Sequence, residues 1–288
     1  MRPTGCVALL LMMTATAVSP LAQQAPTFTT RTNAVRVDVL VSRQGRAVAG
    51  LAPDDFELRD NGVLQRVDLV SVERVPLNLV LALDVSASVS GERLARLRRA
   101  AAGVLKDLGP ADQAALVTFG DAVAVHGRLT HDVPAIDSAL SLAHAEGRTA
   151  LRDAVYAAIV VAEADAGRSL VLVFSDGADT LSWLTPEQLL QTARKSDAVV
   201  YGVTVHDSGA LLRELGRTTG GGVLDVASMA DVESAFRTVL NEFRHRYLVS
   251  YTPTGVASGG WHTLAVKVKK RGDGVRVLAR PGYLGDGE

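Results

Sequence analysis

The sequence predicts an α/β protein: a doubly wound, mostly parallel sheet with helices on both faces, and beside it a small β lobe. Three observations carry this expectation. Segments such as LNLVLALD (77–84), SLVLVFSD (169–176) and AVVYGVTV (198–205) are near-continuous apolar runs, as strands buried on both faces require. Between them lie segments with helical periodicity, the alternation that builds parallel sheets. Before residue 76 and after residue 245 the helical pattern disappears, and short alternating runs separated by turn residues take its place.

Taken in order, the chain opens with MRPTGCVALLLMMTATAVSPLAQQAP. Arg2 supplies a positive end, Val7 to Val18 an apolar core, and small and polar residues follow. This is the grammar of a secretory signal peptide over 1–22, processed near Ala22, and it places the mature protein in a periplasmic or extracellular setting. The apolar run is shorter than the ~20 residues a membrane span needs, and no later segment offers one. Residues 27–75 read as an N-terminal β segment. VRVDVLVS alternates apolar and polar, and Asp60-Asn61-Gly62 between FELR and VLQRVDLVSV signals a hairpin. So short a sheet buries little by itself and must lean on other strands.

Residues 76–245 carry the α/β pattern. The order is LNLVLALD, helical GERLARLRRAAAGVLKDL, QAALVTFG, a short strand AVAVHGRL, then helical DVPAIDSALSLAHA and ALRDAVYAAIVVAEADA. SLVLVFSD, helical TPEQLLQTARKSD, AVVYGVTV, helical GALLRELGRTT, GVLDVA and helical DVESAFRTVLNEFRHR complete it. Ser90 is expected to open the first helix and Thr185-Pro186-Glu187 the fourth. Arg244, His245 and Arg246 are expected to close the last helix, where positive charge suits the dipole. Residues 246–288 return to β texture in YLVSYTPT, WHTLAVKVKKR and VRVLARPGYLG, with Trp261 packing among them. This C-terminal β segment is expected to pair with the N-terminal strands in one discontinuous lobe.

Composition narrows the function. Of 288 residues, 48% are hydrophobic and 21% charged, an ordinary globular balance, and the net charge of −1 points away from nucleic acid as a partner. Cys6, the only cysteine, lies in the leader, so the mature chain has no disulfide and no cysteine metal site. No G-x-S-x-G elbow, phosphate-binding P-loop or G-x-G-x-x-G follows a strand, and the six histidines are scattered without metal spacing.

Ligand sites of open parallel sheets lie beyond the carboxyl ends of the strands, near the point where strand order reverses. LNLVLAL is followed by Asp84-Val85-Ser86-Ala87-Ser88, and SLVLVFS by Asp176-Gly177. Gly147-Arg148-Thr149 stands between two helices. Two carboxylates and three hydroxyls are thus offered toward one edge. Hard oxygen ligands favour Mg²⁺, Ca²⁺ or Mn²⁺ over zinc or copper, and Mg²⁺ best suits a set with few carboxylates that leaves waters in place. Asp84 and Asp176, if close, repel each other unless a cation stands between them.

Asp84-x-Ser86-x-Ser88, a distant Thr149 after a glycine, and Asp176-Gly177 resemble the von Willebrand factor A (VWFA) domain, a Rossmann-like fold. There they form the metal-ion-dependent adhesion site. The resemblance implies that Ser86 and Ser88 ligate the ion, that Thr149 does so in some ligand states, and that Asp84 and Asp176 act from behind through waters and hydrogen bonds. It also implies an open position that takes an Asp or Glu from a protein partner. The flanks GLAPDDFELRDNGVLQRV and FRHRYLVSYTP…RPGYLG resemble a bacterial, acidobacterial-type subfamily of secreted VWFA-related proteins. Where many members carry Gly-Gly-Thr, this chain has Gly147-Arg148-Thr149. Arg148 either answers a partner carboxylate or opposes the metal by like charge, and both readings stand.

The function expected is therefore an exported, metal-dependent protein-binding module rather than an enzyme. A structural component of an envelope assembly is the alternative. A Mg²⁺-dependent hydrolase with Ser86 as nucleophile is disfavoured, because no histidine falls in these loops to activate a serine. Asp121, Asp153 and Asp179 read as structural neighbours of the site.

Overall fold

The computed structural model describes residues 34–71, 75–205, 209–269 and 274–285. The expected leader over 1–22 and the start of the N-terminal β segment lie outside the described residues. The chain starts with β1 (Val35–Arg43), β2 (Arg46–Ala47), β3 (Phe56–Asp60), β4 (Val63–Gln65) and β5 (Leu69–Ser71). The alternating part follows: β6 (Leu77–Asp84), α1 (Glu92–Lys106), β7 (Gln113–Phe119), β8 (Val123–Val125), α2 (Val133–Leu142), α3 (Leu151–Ala162) and β9 (Arg168–Ser175). Then come α4 (Pro186–Lys195), β10 (Val199–Val205), α5 (Ala210–Thr219), β11 (Gly222–Val226) and α6 (Val232–Arg244). Four strands end it: β12 (Tyr247–Tyr251), β13 (Gly260–Val268), β14 (Val275–Leu278) and β15 (Gly282–Gly285).

The central sheet has the order β11-β10-β9-β6-β7-β8, parallel except for β8, which runs against β7. Strand β6 is buried along its whole length. Its Leu77, Leu79, Leu81 and Leu83 face a core shared with α1, α2 and α6, while Val80 and Ala82 face a second core shared with α3, α4 and α5. That two-residue alternation is why LNLVLALD has no polar face: both sides of the pleat are covered by helices. Helix α1 buries Leu94, Leu97, Ala101 and Val104, a stripe at helical spacing. Thr185 and Gln188 cap α4 reciprocally, with Pro186 in the first turn. Among the described residues no helix is long and apolar enough to cross a membrane.

Two local expectations change. Helix α1 opens at Glu92 with Gly91 as its N-cap, and Ser90 ends a short 3-10 turn instead. Gly91 takes φ +65°, so the chain swings into the helix through a left-handed residue where a serine side chain cannot cap. At the other end of the domain, α6 stops at Arg244, but Arg246 turns inward and is fully buried. Its guanidinium donates to the Gly220 carbonyl at 2.6 Å and the Tyr201 hydroxyl at 2.8 Å, and lies over the Tyr201 ring.

The remaining strands form two sheets. The first has the order β14-β1-β12-β5 with β2 on β1, and the second β15-β13-β3-β4. They share an apolar core of Val37, Val39, Val41, Phe56, Leu58, Tyr247, Val249, Tyr251 and Leu264. Alternation marks one buried face per strand but not which sheet supplies the cover, so two facing sheets read like one. The hairpin signal is realised between β3 and β4, where Asn61 and Gly62 take φ +46° and +82°. A polar node also crosses this core. Buried Asp60 accepts from Tyr251 at 2.8 Å and from Tyr283 at 2.9 Å, and pairs with His262 Nδ1 at 2.8 Å. Burial pushes the Tyr251 phenol upward, keeping it a donor.

The two parts are joined at the foot of the central sheet by Arg168, which starts β9. Its guanidinium donates to Asp38 of β1, with Nε at 2.8 Å, and to the Phe243 carbonyl, and it stacks 4.7 Å from the Phe243 ring centroid. Both side chains are nearly sealed, at 7% and 13% exposure. Breaking such a pair from one side strands a buried charge. Arg168→Met is expected to lower unfolding free energy by about 3–5 kcal/mol. The double variant Arg168→Met/Asp38→Leu should recover much of that loss, as read from urea unfolding curves.

Candidate metal centre

Strand order reverses around β6: β7 lies on one side and β9 on the other, with the following strands continuing outward from each. The crevice at the carboxyl ends of β6 and β9 is the switch point of the sheet. Asp84 is the last residue of β6, and Ser175, the last of β9, sits beside it in the parallel register. Asp84 is fully buried. One carboxylate oxygen accepts the Ser86 N–H at 2.9 Å, and the other accepts the Ser175 hydroxyl at 2.8 Å. Burial raises its pKa above the usual carboxyl range; the hydrogen bonds from Ser86 and Ser175 oppose the rise, and the nearby charge of Asp176 adds to it.

A chain of oxygens continues from there. The Ser86 and Ser88 hydroxyls share a 3.0 Å hydrogen bond, and Ser88 donates to Asp176 Oδ1 at 2.7 Å. Ser86 is buried while Ser88 is exposed, so the row climbs from the core to the surface. Asp176 Oδ2 receives Arg93 of α1 at 2.5 Å, and the Asp176 side chain is only 3% exposed. The serines sit in an extended residue and a single 3-10 turn at Ala87–Val89, which the buried Val89 anchors.

Thr149 arrives from a different direction. Val85 donates to the Phe119 carbonyl and accepts from Glu146, Ala87 donates to the Gly147 carbonyl at 3.1 Å, and Ala150 donates to the Gly120 carbonyl. These bonds fasten the loop before α3 against the loop after β6. Gly147 takes φ +73°, and a Cβ there would come within 2.4 Å of the Asp121 carboxylate. Only glycine satisfies both demands. Thr149 is nearly buried and makes its hydrogen bonds through its backbone, donating to Thr180 Oγ1 and accepting from Thr180 and Leu181. Helix α3 is opened by Ala150 without a side-chain cap, so the Thr149 hydroxyl is not spent on capping.

Asp84, Ser86, Ser88 and Asp176 are therefore joined in a row by hydrogen bonds, and Thr149 stands in the adjoining loop. The rim aspartates are tied elsewhere: Asp121 to the Arg148 N–H, Asp179 to Arg152 and Ser182, and Asp153 to the Trp183 and Leu184 N–H groups. Among the described residues no three His, Cys, Asp or Glu side chains gather as a metal cage. The oxygen set here has a different make-up, with hydroxyls outnumbering carboxylates, and that is the donor chemistry a hard cation with retained waters accepts. As a nucleophilic site it is poor. The Ser86 hydroxyl bonds to Ser88, the neighbouring Asp84 carboxylate is held by the Ser86 N–H and the Ser175 hydroxyl, and the Asp176 carboxylate that Ser88 reaches is held by a guanidinium, which weakens it as a base. Two participants escaped the sequence reading. Ser175 is visible only once the register is known, and Arg93 looks in sequence like one more charge on a solvated helix face.

Residues 78–238 match the model of the von Willebrand factor type A domain. The porcine inter-alpha-trypsin inhibitor heavy chain H4 is 26% identical over 133 residues, which are 42% of this chain and 14% of that protein. The bovine protein of the same name is 25% identical over 139 residues, 44% of this chain and 15% of the other. This chain thus spans about one seventh of the length of these curated relatives. Among solved structures, a von Willebrand factor type A protein from Catenulispora acidiphila superposes with TM-score 0.54 at 13% identity, covering 88% of this chain and 75% of that one. Proximal thread matrix protein 1 of the mussel byssus, with a zinc-occupied MIDAS motif, gives TM-score 0.54 at 17% identity over 62% of this chain and 48% of its own. At these identities the structural likeness speaks for the fold.

The raised Asp84 pKa has a pH signature without any metal. Above that pKa, ionised Asp84 carries its full burial cost; as pH falls toward the ordinary carboxyl value of 3.8, the folded state takes up the proton and the cost disappears. In chelator, wild type should therefore gain stability relative to Asp84→Asn as pH falls through that window. Denaturant unfolding at a series of pH values reads the difference, and a constant gap would contradict it.

Proposed function

Because the chain belongs to the von Willebrand factor type A domain family, whose domains are in general metal-dependent protein-interaction modules, we propose that it is an exported, non-enzymatic protein-binding module. In this reading Asp84, Ser86, Ser88, Thr149 and Asp176 hold a divalent cation, and a protein partner supplies an Asp or Glu. The observation that carries it is the continuous row from buried Asp84 through Ser86 and Ser88 to Asp176, at the switch point of the sheet. When bound, the cation supplies a Lewis-acidic position able to accept a carboxylate oxygen. The protein's own residues do the rest. The Ser86 and Ser175 bonds keep Asp84 oriented, and the Gly147–Ala87 bond keeps the Thr149 loop against the serine loop.

Hard oxygens favour Mg²⁺, with Ca²⁺ and Mn²⁺ as substitutes. The zinc in the mussel protein makes Zn²⁺ a further ion to try. Arg93 already balances Asp176, so a cation at the same oxygens must share that carboxylate or displace the arginine. Exposed Arg148, paired with Asp121 at 3.4 Å, stands on the rim, where it can meet an incoming carboxylate. The leader grammar of residues 1–22 supports a periplasmic or extracellular location, and the flanking segments support kinship with secreted bacterial VWFA-related proteins.

Binding to the folded state alone stabilises by about 2.7 kcal/mol at a hundredfold excess over Kd. Saturating Mg²⁺ is expected to raise the melting temperature by several degrees over chelator, and Asp84→Ala to abolish that rise. Identical wild-type melting curves with metal and with chelator would sink the proposal.

A further inference from the structure

Trp183 is 93% exposed, while most aromatic side chains of the described chain are buried or half-buried. Its setting is not that of a slack loop. The segment from Asp176 to Thr185 leaves β9 at the candidate metal centre and enters α4, so all of it lies at the carboxyl edge of the sheet. Thr180 and Leu181 donate to the Thr149 carbonyl at 2.9 and 3.2 Å. Arg152 pairs with Asp179 at 2.8 Å, and Ser182 donates its N–H to the same carboxylate. Trp183 and Leu184 donate their N–H groups to Asp153 at 2.9 and 3.0 Å. From Thr180 to Leu184 the backbone is fastened residue by residue, and the indole stands out into water. Holding the largest apolar side chain in that position costs hydration and returns nothing to this chain's own packing.

Two further side chains extend the feature. Tyr156 and Val160, 41% and 52% exposed, follow Asp153 on one face of α3 at spacings of three and four. Trp183 thus stands in the loop that follows Asp176 and bonds the Thr149 carbonyl, and its N–H donates to Asp153, one turn before Tyr156 on α3. Rigidly presented tryptophans are the commonest anchors of protein interfaces, because they bury much surface at little entropic cost.

We infer that Trp183 is a specificity anchor for the partner. The polypeptide segment captured at the metal centre carries an apolar or aromatic side chain two to four residues from its acidic residue, and that side chain packs on the indole. Trp183 stands two residues beyond Leu181, whose N–H donates to the Thr149 carbonyl, and an extended partner chain advances about 3.3–3.6 Å per residue, so spacings of two to four residues are the ones to test. This inference rests on the metal-centred reading above.

The chain has two tryptophans, so Trp261→Phe leaves Trp183 as a single fluorescent reporter in the full-length protein. The probes are two synthetic peptide sets: one Asp within Gly-Ser spacers, and the same peptides with Phe or Leu two to four residues from the Asp. In Mg²⁺, the apolar set is expected to bind at least tenfold more tightly, shift Trp183 emission to the blue and shield it from iodide. Trp183→Ala, followed by calorimetry, should erase that tenfold gain and leave the Gly-Ser set unchanged. Equal affinity of the two sets, or a gain that survives Trp183→Ala, would overturn the anchor while leaving carboxylate capture intact. If neither set binds with or without metal, carboxylate capture itself fails and the anchor falls with it.

Discussion

Asp84 sits where the central strand of the sheet runs out, with no exposed surface of its own. A carboxylate in that position is costly to ionise, and the architecture around it offsets that cost with directed hydrogen bonds: one N–H from the next loop and one hydroxyl from the neighbouring strand. Each donor depends on a longer-range arrangement. Ser86 is placed by a turn tied to the loop before α3, and Ser175 by the parallel register of β6 with β9. The sheet order, the glycine at 147 and the short turn after β6 are thus different ways of meeting one electrostatic requirement. Any positive charge brought beside Asp84 would relieve what the fold only partly compensates.

Much of this was legible in the sequence, for reasons that can be located. LNLVLALD announces a strand covered on both sides, and an Asp at its end can point only into the crevice beyond. The alternation of such strands with amphipathic helices determined the sheet, and the loops of Asp84 to Ser88 and of Asp176 followed from their positions after β6 and β9. The unread parts share a cause: they depend on partners distant in the chain. Arg246 reads as a solvated helix end, yet it is drawn inward by the Gly220 carbonyl and the Tyr201 hydroxyl. Arg93 reads as surface charge until Asp176 is known to lie across from it. The terminal strands alternate as expected, but alternation is silent on whether one sheet or two receive them.

The loop after β9 shows how polar chemistry sets the stage for an apolar feature. Asp179 in that loop and Asp153 in the first turn of α3 are both consumed in fixing backbone N–H groups and Arg152. Their work holds the site edge still. Arg93 and Arg148 pair in the same way with Asp176 and Asp121.

The strands at the start of the chain take their partners from its far end. β1 is hydrogen-bonded to β12 and β14, and the Asp60 carboxylate finds Tyr251 191 residues later. During synthesis, therefore, β1 and β3 emerge long before β12, β14 and β13 can pair with their outer edges, while the α/β part that follows them has all of its strands and can close first. Until the last forty residues arrive, the early strands are an open template for wrong pairings. The order of assembly runs from the middle outward, and the early strands are safe from wrong partners only once β12 to β15 have joined them.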